Sequence, residues 1–176
     1  MRLMKFYTLA DWKREGDCSL QEFDEITSRV KEYRAYLESI GSGLSRRFQH
    51  FLDLASLHDG EVLEISIEPS SAVASLRCRA LDNASNGRNG HYLRLNYHEV
   101  QNFQSIGPEE ESFGGDGYGD IGYDEIELLA EGVFQHRLLF STGIEIAVTF
   151  RDFTFDELLW SQLQETAYGK WRRLLE

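Results

Sequence analysis

Leu57-His58-Asp59-Gly60-Glu61-Val62-Leu63-Glu64-Ile65-Ser66-Ile67-Glu68 is the stretch in which the pattern of the chain changes. Leu63, Ile65 and Ile67 alternate with Glu64, Ser66 and Glu68. Successive side chains of a strand point to opposite faces, so this period of two predicts a strand with one apolar and one wet face. Upstream of Ser56 the apolar residues recur at spacings of three and four. Downstream they alternate again and again. The junction therefore divides a helical region from a sheet.

On the upstream side, Ser19-Leu20-Gln21-Glu22 has the form of a capping box, in which Ser closes the free amides and Glu reaches back to the cap. Phe23, Ile26, Val30, Tyr33, Leu37 and Ile40 then lie on one helical stripe, Gly41-Ser42-Gly43 interrupts it, and Leu44, Phe48, Phe51 and Leu52 begin another. This predicts a helical hairpin. The first stripe also fits a coiled-coil seam, but a short stripe ending in a tight turn favours packing within the chain. An earlier helix start is read at Thr8-Leu9-Ala10-Asp11 with Trp12, stopped at Gly16.

On the downstream side, Ala74, Leu76 and Cys78 alternate with Ser75, Arg77 and Arg79, and Leu93, Leu95 and Tyr97 with Arg94 and Asn96. Ile126 and Leu128, then Phe134, His136, Leu138 and Phe140, then Ile144, Ile146, Val148 and Phe150 continue the pattern. Clean alternation is the habit of antiparallel sheets. Glu64, Glu68, Arg77, Arg79, Arg94, Glu127, Arg137, Glu145 and Arg151 are expected on the wet face as cross-strand pairs. A closing helix is predicted from Phe155-Asp156-Glu157, with Leu159, Leu163, Ala167 and Trp171 on one face and Arg172 and Arg173 near its end. The expected fold class is α+β, with an N-terminal helical hairpin, an antiparallel meander of about six strands and a C-terminal helix. One domain is expected over residues 1–176: a helical region over residues 1–56, a sheet over 57–153 holding an acidic loop 99–125, and a helix over 154–176.

Charge is the feature most informative about function. Between Glu99 and Gln135 there is no Lys, Arg or His, yet the segment holds Glu99, Glu109, Glu110, Glu111, Asp116, Asp120, Asp124, Glu125, Glu127 and Glu131. Those ten acids make up most of the formal net charge of −12. Such a field attracts cations and basic proteins and repels nucleic acid and anionic membrane. The densest basic points, Arg46-Arg47 and Lys170 to Arg173, are short, so nucleic-acid binding is not expected. Aromatic residues at 12% and hydrophobic residues at 41% exclude a disordered chain. No apolar run reaches the length of a bilayer span, and Met1 to Tyr7 lacks the apolar core of a secretory signal. Cys18 and Cys78 stand far apart in unlike contexts, which suggests a reducing compartment. The expected location is the cytoplasm.

Within the acidic segment, Asp116, Asp120 and Asp124 are spaced four apart among glycines. Hard cations take several oxygens from a pliable backbone, so these three Asp form a candidate metal site, though the spacing is not that of an EF-hand. A solvated loop and a protein-contact surface are the other readings. Gly117, Gly119 and Gly122 match a GxGxxG string, but the flanking acids would repel phosphate. His91 and His98 have odd spacing and face opposite sides of an unbroken strand, and His136 reads as a satisfied core histidine. His58-Asp59 could act as an acid–base dyad or tie down a turn. No nucleophile with a neighbouring base is found, so no catalytic residue is assigned and no cofactor is expected.

Met4-Lys5-Phe6-Tyr7-Thr8 with Trp12 resembles the opening of an uncharacterised bacterial family, domain of unknown function 4085. Tyr123-Asp124-Glu125-Ile126, Glu131 to Phe140 and Phe150-Arg151-Asp152-Phe153 are similar to its C-terminal strands. The resemblance implies a cytosolic bacterial protein and assigns no activity. The pattern of Leu57 to Ile65 also resembles that of many small bacterial sheet proteins, among them immunity proteins of toxin systems, which are often acidic because they neutralise basic nuclease toxins. The leading expectation is a non-enzymatic interaction module in which Glu109, Glu110, Glu111, Asp116, Tyr118 and Asp120 meet a basic partner. Phe103, Phe113, Tyr118 and Tyr123 are its candidate aromatic anchors. The rival is a metal-dependent enzyme or metal-binding domain, with Asp116, Asp120 and Asp124 as ligands and His58 as its base.

Overall fold

Residues 3–8, 10–11, 19–83, 90–107 and 118–159 are described in the computed structural model. A long helix α1 (Leu20–Ile40), a 3-10 turn (Gly41–Gly43) and a short helix α2 (Arg46–Leu54) precede eight strands. These are β1 (Ala55–Glu68), β2 (Val73–Asp82), β3 (Gly90–His98), β4 (Asn102–Ile106), β5 (Asp120–Ala130), β6 (Val133–Phe140), β7 (Glu145–Phe150) and β8 (Asp152–Leu159). The strands form one sheet in the order β4-β7-β6-β5-β1-β2-β3-β8, every pairing antiparallel.

The stretch that announces the sheet also bends it. Ser56 pairs with Leu81 and Glu61 with Arg79, so four residues, Leu57 to Gly60, stand against the single Ala80. Such a bulge kinks its strand, and here Gly60 and Glu61 pair with Ile121 and Asp120 of β5. Asp59 takes φ 58° inside the bulge. A Cβ on Gly60 would lie 2.6 Å from the Leu57 carbonyl oxygen and 2.8 Å from that of Arg79, so only glycine fits. The two halves of the sheet, β4-β7-β6-β5 and β1-β2-β3-β8, close on one core. Leu76, Leu95 and Tyr97 from one half join Leu138, Ile146 and Val148 from the other. The Tyr97 ring lies 5.1 Å from that of Phe150.

Both helices anchor to the sheet. The capping box at Ser19 and Glu22 is formed, with the Glu22 carboxylate accepting from the Ser19 N–H at 2.9 Å. Helix α1 runs along β5, where the Tyr33 and Tyr36 hydroxyls accept the N–H groups of Ile126 (2.6 Å) and Leu128 (3.0 Å). Helix α2, capped by Ser45, sets Phe48 and Phe51 against Phe153, with centroids 4.6 and 5.4 Å away.

Three expectations are thereby corrected. The α+β layout of helical hairpin, meander of about six strands and C-terminal helix gives way to an eight-stranded antiparallel sheet. The hairpin is replaced by one long helix and a short one, each packed on strands. Phe155-Asp156-Glu157 belongs to β8, pairing with Leu95, Arg94 and Leu93 of β3. An alternating segment beside an open strand edge gains a full ladder as a strand, and this outweighs a helix-like order of charges. The later residues of the predicted helix, Leu163, Ala167, Trp171, Arg172 and Arg173, lie outside the described residues. The sheet is also not a plain meander, because β1 pairs with β5, β3 with β8 and β4 with β7.

The wet face is only partly as expected. Glu64–Arg77 and Glu61–Arg79 are cross-strand ion pairs, both at 2.9 Å. Glu127, Arg137 and Glu145 are instead covered by the N-terminal residues Leu3 to Tyr7.

Replacing Gly60 with Ala should destabilise the protein by about 1–3 kcal/mol, the usual cost of overpacking, read as a lower urea midpoint. Tyr33→Phe strands the buried Ile126 N–H and should cost about 1–3 kcal/mol, with little loss of packing.

Candidate functional site

Strand β5 carries the C-terminal half of the acidic segment, and its alternation sorts the acids. Asp124 and Ile126 face the core between the two half-sheets, while Tyr123, Glu125 and Glu127 face outward. The two sets meet different chemistry.

Inward, Asp124 belongs to a hydrogen-bonded chain. His136 is 0% exposed, its Nε2 lies 3.2 Å from Asp124 Oδ2, and its Nδ1 lies 2.8 Å from the Tyr97 hydroxyl. A carboxylate only accepts, so Nε2–H donates to Asp124, and the Tyr97 hydroxyl satisfies Nδ1. The satisfied core histidine read from the sequence is therefore what the fold holds. Burial pushes the Tyr97 hydroxyl well above its ordinary range, and the nearby Cys78 and Asp124 add to this. Burial, with a smaller contribution from Asp124, pushes the Cys78 thiol up to about 12. Both groups stay protonated, closed in a core without access for a substrate.

Outward, the N-terminal segment lies across β5, β6 and β7 as a strap. Glu125, 0% exposed, accepts the N–H groups of Lys5 (2.8 Å), Phe6 (2.6 Å) and Tyr7 (2.8 Å). Glu145 accepts those of Leu3 and Met4. Successive backbone N–H groups make a concavity that suits an anion, and here a buried carboxylate of the chain itself fills it. Lys5 reaches Glu127 at 2.9 Å, and Glu127 also pairs with Arg137. Burial raises the Glu127 carboxyl, but hydrogen bonds from Lys5 and Arg137 and their charges outweigh it and hold the group below the usual carboxylate range. Tyr7 stacks on Tyr123 at 4.4 Å, and Phe6 lies 5.2 Å from Tyr33 and 5.5 Å from Tyr36.

The fold scatters the residues singled out in the sequence. Glu109, Glu110, Glu111, Phe113 and Asp116 lie outside the described residues. Tyr118 is half-buried against Phe140 at 4.9 Å, and its carbonyl accepts from the Thr142 hydroxyl. Asp120 is exposed at the head of β5, its N–H donating to the Ser141 hydroxyl at 3.0 Å. Asp124 turns inward to His136, away from the role of an open ligand. Among the described residues no three His, Cys, Asp or Glu side chains cluster as a metal site. His58 lies in the bulge, where its Nδ1–H donates to the Gly122 carbonyl and its ring stacks on Tyr123 at 5.3 Å. Its Nε2 is 3.8 Å from Asp59. His91 is buried and His98 half-buried, on opposite faces of β3.

The strap and its carboxylate clamps had no signal in the sequence, because backbone N–H groups carry no residue type. The Asp124–His136 contact had one: both residues fall in register with apolar neighbours of an alternating strand, and a polar group in such a row needs a partner.

No family model matches the chain, and no curated protein does. The resemblance to domain of unknown function 4085 accordingly rests on the quoted motifs. A solved structure described as an uncharacterised protein from Neisseria gonorrhoeae is similar over 59% of this chain and 96% of that one, at 15% identity and a TM-score of 0.42. Among the described residues no helix is long and apolar enough to cross a membrane.

The buried thiol and phenol make stability depend on alkaline pH. The unfolded chain releases the Cys78 proton near its ordinary value of 9.0, whereas the native state holds it to about 12. The unfolded state then binds fewer protons, so stability is complete below pH 9.0 and falls as pH rises towards 12. The fall steepens above pH 10.0, where Tyr97 and Tyr33, both raised chiefly by burial, add theirs. Urea midpoints against pH should show this decline, and Cys78→Ala should flatten it between pH 9.0 and 10.0.

Proposed function

We propose that the protein is a non-enzymatic interaction module that presents an acidic surface to a basic protein, in the manner of an immunity protein. The observation that carries this reading is the Glu99–Gln135 segment, ten acids without a base. Not all ten are open to a partner. Asp124, Glu125 and Glu127 are engaged inside the fold. Glu99, Asp120 and Glu131 are exposed. Charges left unneutralised at a surface steer an oppositely charged protein and speed its approach. Support also comes from the Tyr97–His136 pair, which is fully buried and bonded onward to the half-buried Asp124, and so reads as a structural network and not as a reactive centre.

Replacing Glu109, Glu110, Glu111, Asp116 and Asp120 with the corresponding amides should weaken capture of a basic partner from lysate at least about tenfold, with elution at lower salt. Unchanged capture would remove this segment from the account. The metal reading with Asp116, Asp120 and Asp124 requires Asp124 to leave His136. It would be upheld by a melting temperature that rises with one divalent ion and fails to rise in Asp124→Asn.

A further inference from the structure

Strand β4 ends the sheet. On one side its five residues pair without interruption with Thr149 to Glu145 of β7. Among the described residues nothing pairs with its other side. A bare row of N–H and C=O groups is a template for another strand, and natural edges are guarded by charge, proline or a bulge. Asn102-Phe103-Gln104-Ser105-Ile106 has no charge, no proline and no bulge. The opposite end of the sheet differs, because β8 carries exposed Asp152, Asp156 and Glu157 and has α2 packed on it through Phe51.

The Asn102 end of β4 borders a cleft of about 280 Å³ between it and the β1–β2 turn. The cleft is lined by apolar side chains including Ile67, Val100 and Phe103, and its one charged lining residue is Glu68. Ile67 is 45% exposed, unusual for a strand isoleucine next to a core. Two non-glycine residues with left-handed backbone flank the cleft, Ala72 (φ 54°) and Glu99 (φ 51°), and the Val100 N–H bonds the Ala72 carbonyl at 2.9 Å. Strained residues of this kind are retained where the fold needs a particular shape, and they gather at ligand clamps.

We infer that the open edge of β4 takes an extended basic segment of the partner as an added strand. Main-chain bonds to β4 would supply the affinity, alternate apolar side chains would enter the cleft, and the intervening basic ones would face Glu68 and Glu99. Charge complementarity selects this occupant, since neither β4, its neighbour β7 nor the cleft lining offers a cation. The inference rests on the acidic-surface reading and specifies how the partner docks.

The probe is the peptide acetyl-(Lys-Val)4-amide, added to the whole protein while amide hydrogen exchange is followed by NMR. Amides within Asn102–Ile106 should exchange at least about tenfold more slowly with peptide. Asn102→Lys with Ser105→Lys, both at exposed positions outside the core, should abolish that protection without changing the melting temperature. Asp120→Lys with Glu131→Lys adds at least as much positive charge away from the edge and should retain β4 protection at reduced affinity. Salt-sensitive binding with no β4 protection would overturn the edge mode while leaving the acidic-surface reading standing, and absence of binding would overturn the edge mode as well. Protection of β4 that grows with protein concentration, without peptide, would assign the edge to a second copy of the chain and overturn it too. Loss of partner capture in the amide variants tests the acidic surface separately.

Discussion

Two ladder pairs, Gly60 with Ile121 and Glu61 with Asp120, make the described backbone join between the halves of the sheet, and much else follows from how short that join is. Strand β1 touches β5 at the bulge and then departs along β2. The remaining edge of β5 is left with buried N–H groups that must find acceptors. The hydroxyls of Tyr33 and Tyr36 provide them, which places α1 along that edge. The same helix then offers its aromatic rings to Phe6, and the strap closes over the outer face. A bulge that only glycine can complete thus dictates where a helix and an N-terminal segment must lie.

The strap follows an unusual logic for a segment laid on a sheet. Its backbone does not join the ladder; Leu3 to Tyr7 donate to two carboxylates. Charge-assisted bonds of this kind are stronger than neutral ones, and they fully occupy a carboxylate that burial would otherwise penalise. The arrangement also redistributes the charge of the chain. The acidic segment looks uniform in sequence, but Asp124, Glu125 and Glu127 are engaged in the fold while Glu99, Asp120 and Glu131 are exposed.

The sequence was legible where a pattern reports local geometry. The capping box at Ser19 is formed, and the change of period after Ser56 does mark the passage from helix to strand. It was misleading where one pattern serves two structures: Phe155-Asp156-Glu157 suits a helix start as well as a strand, and the vacant edge of β3 decides between them. Strand β4 went unseen because Asn102 to Ile106 mixes exposed and half-buried positions without alternation. Glu127, Arg137 and Glu145 show a third limit, since alternation assigns a residue to a face and is silent about what later covers that face. For the candidate site, the concentration of acids was plain, whereas the inward turn of Asp124 depends on its register with His136 across the β5–β6 hairpin.

The carboxylate clamps also impose an order on synthesis. The strap's contacts span 118 to 142 residues of sequence, from Tyr7 with Glu125 to Leu3 with Glu145. Contacts of such separation close slowly, because the intervening loop must lose its freedom first. During translation Leu3 to Tyr7 therefore wait, bearing the apolar Met4, Phe6 and Tyr7, until β5, β6 and β7 have emerged and paired. The β1-β2-β3 hairpins can zip up locally in that interval. The strap, earlier in the chain than every strand it clamps, is by this geometry among the last of the described segments to dock.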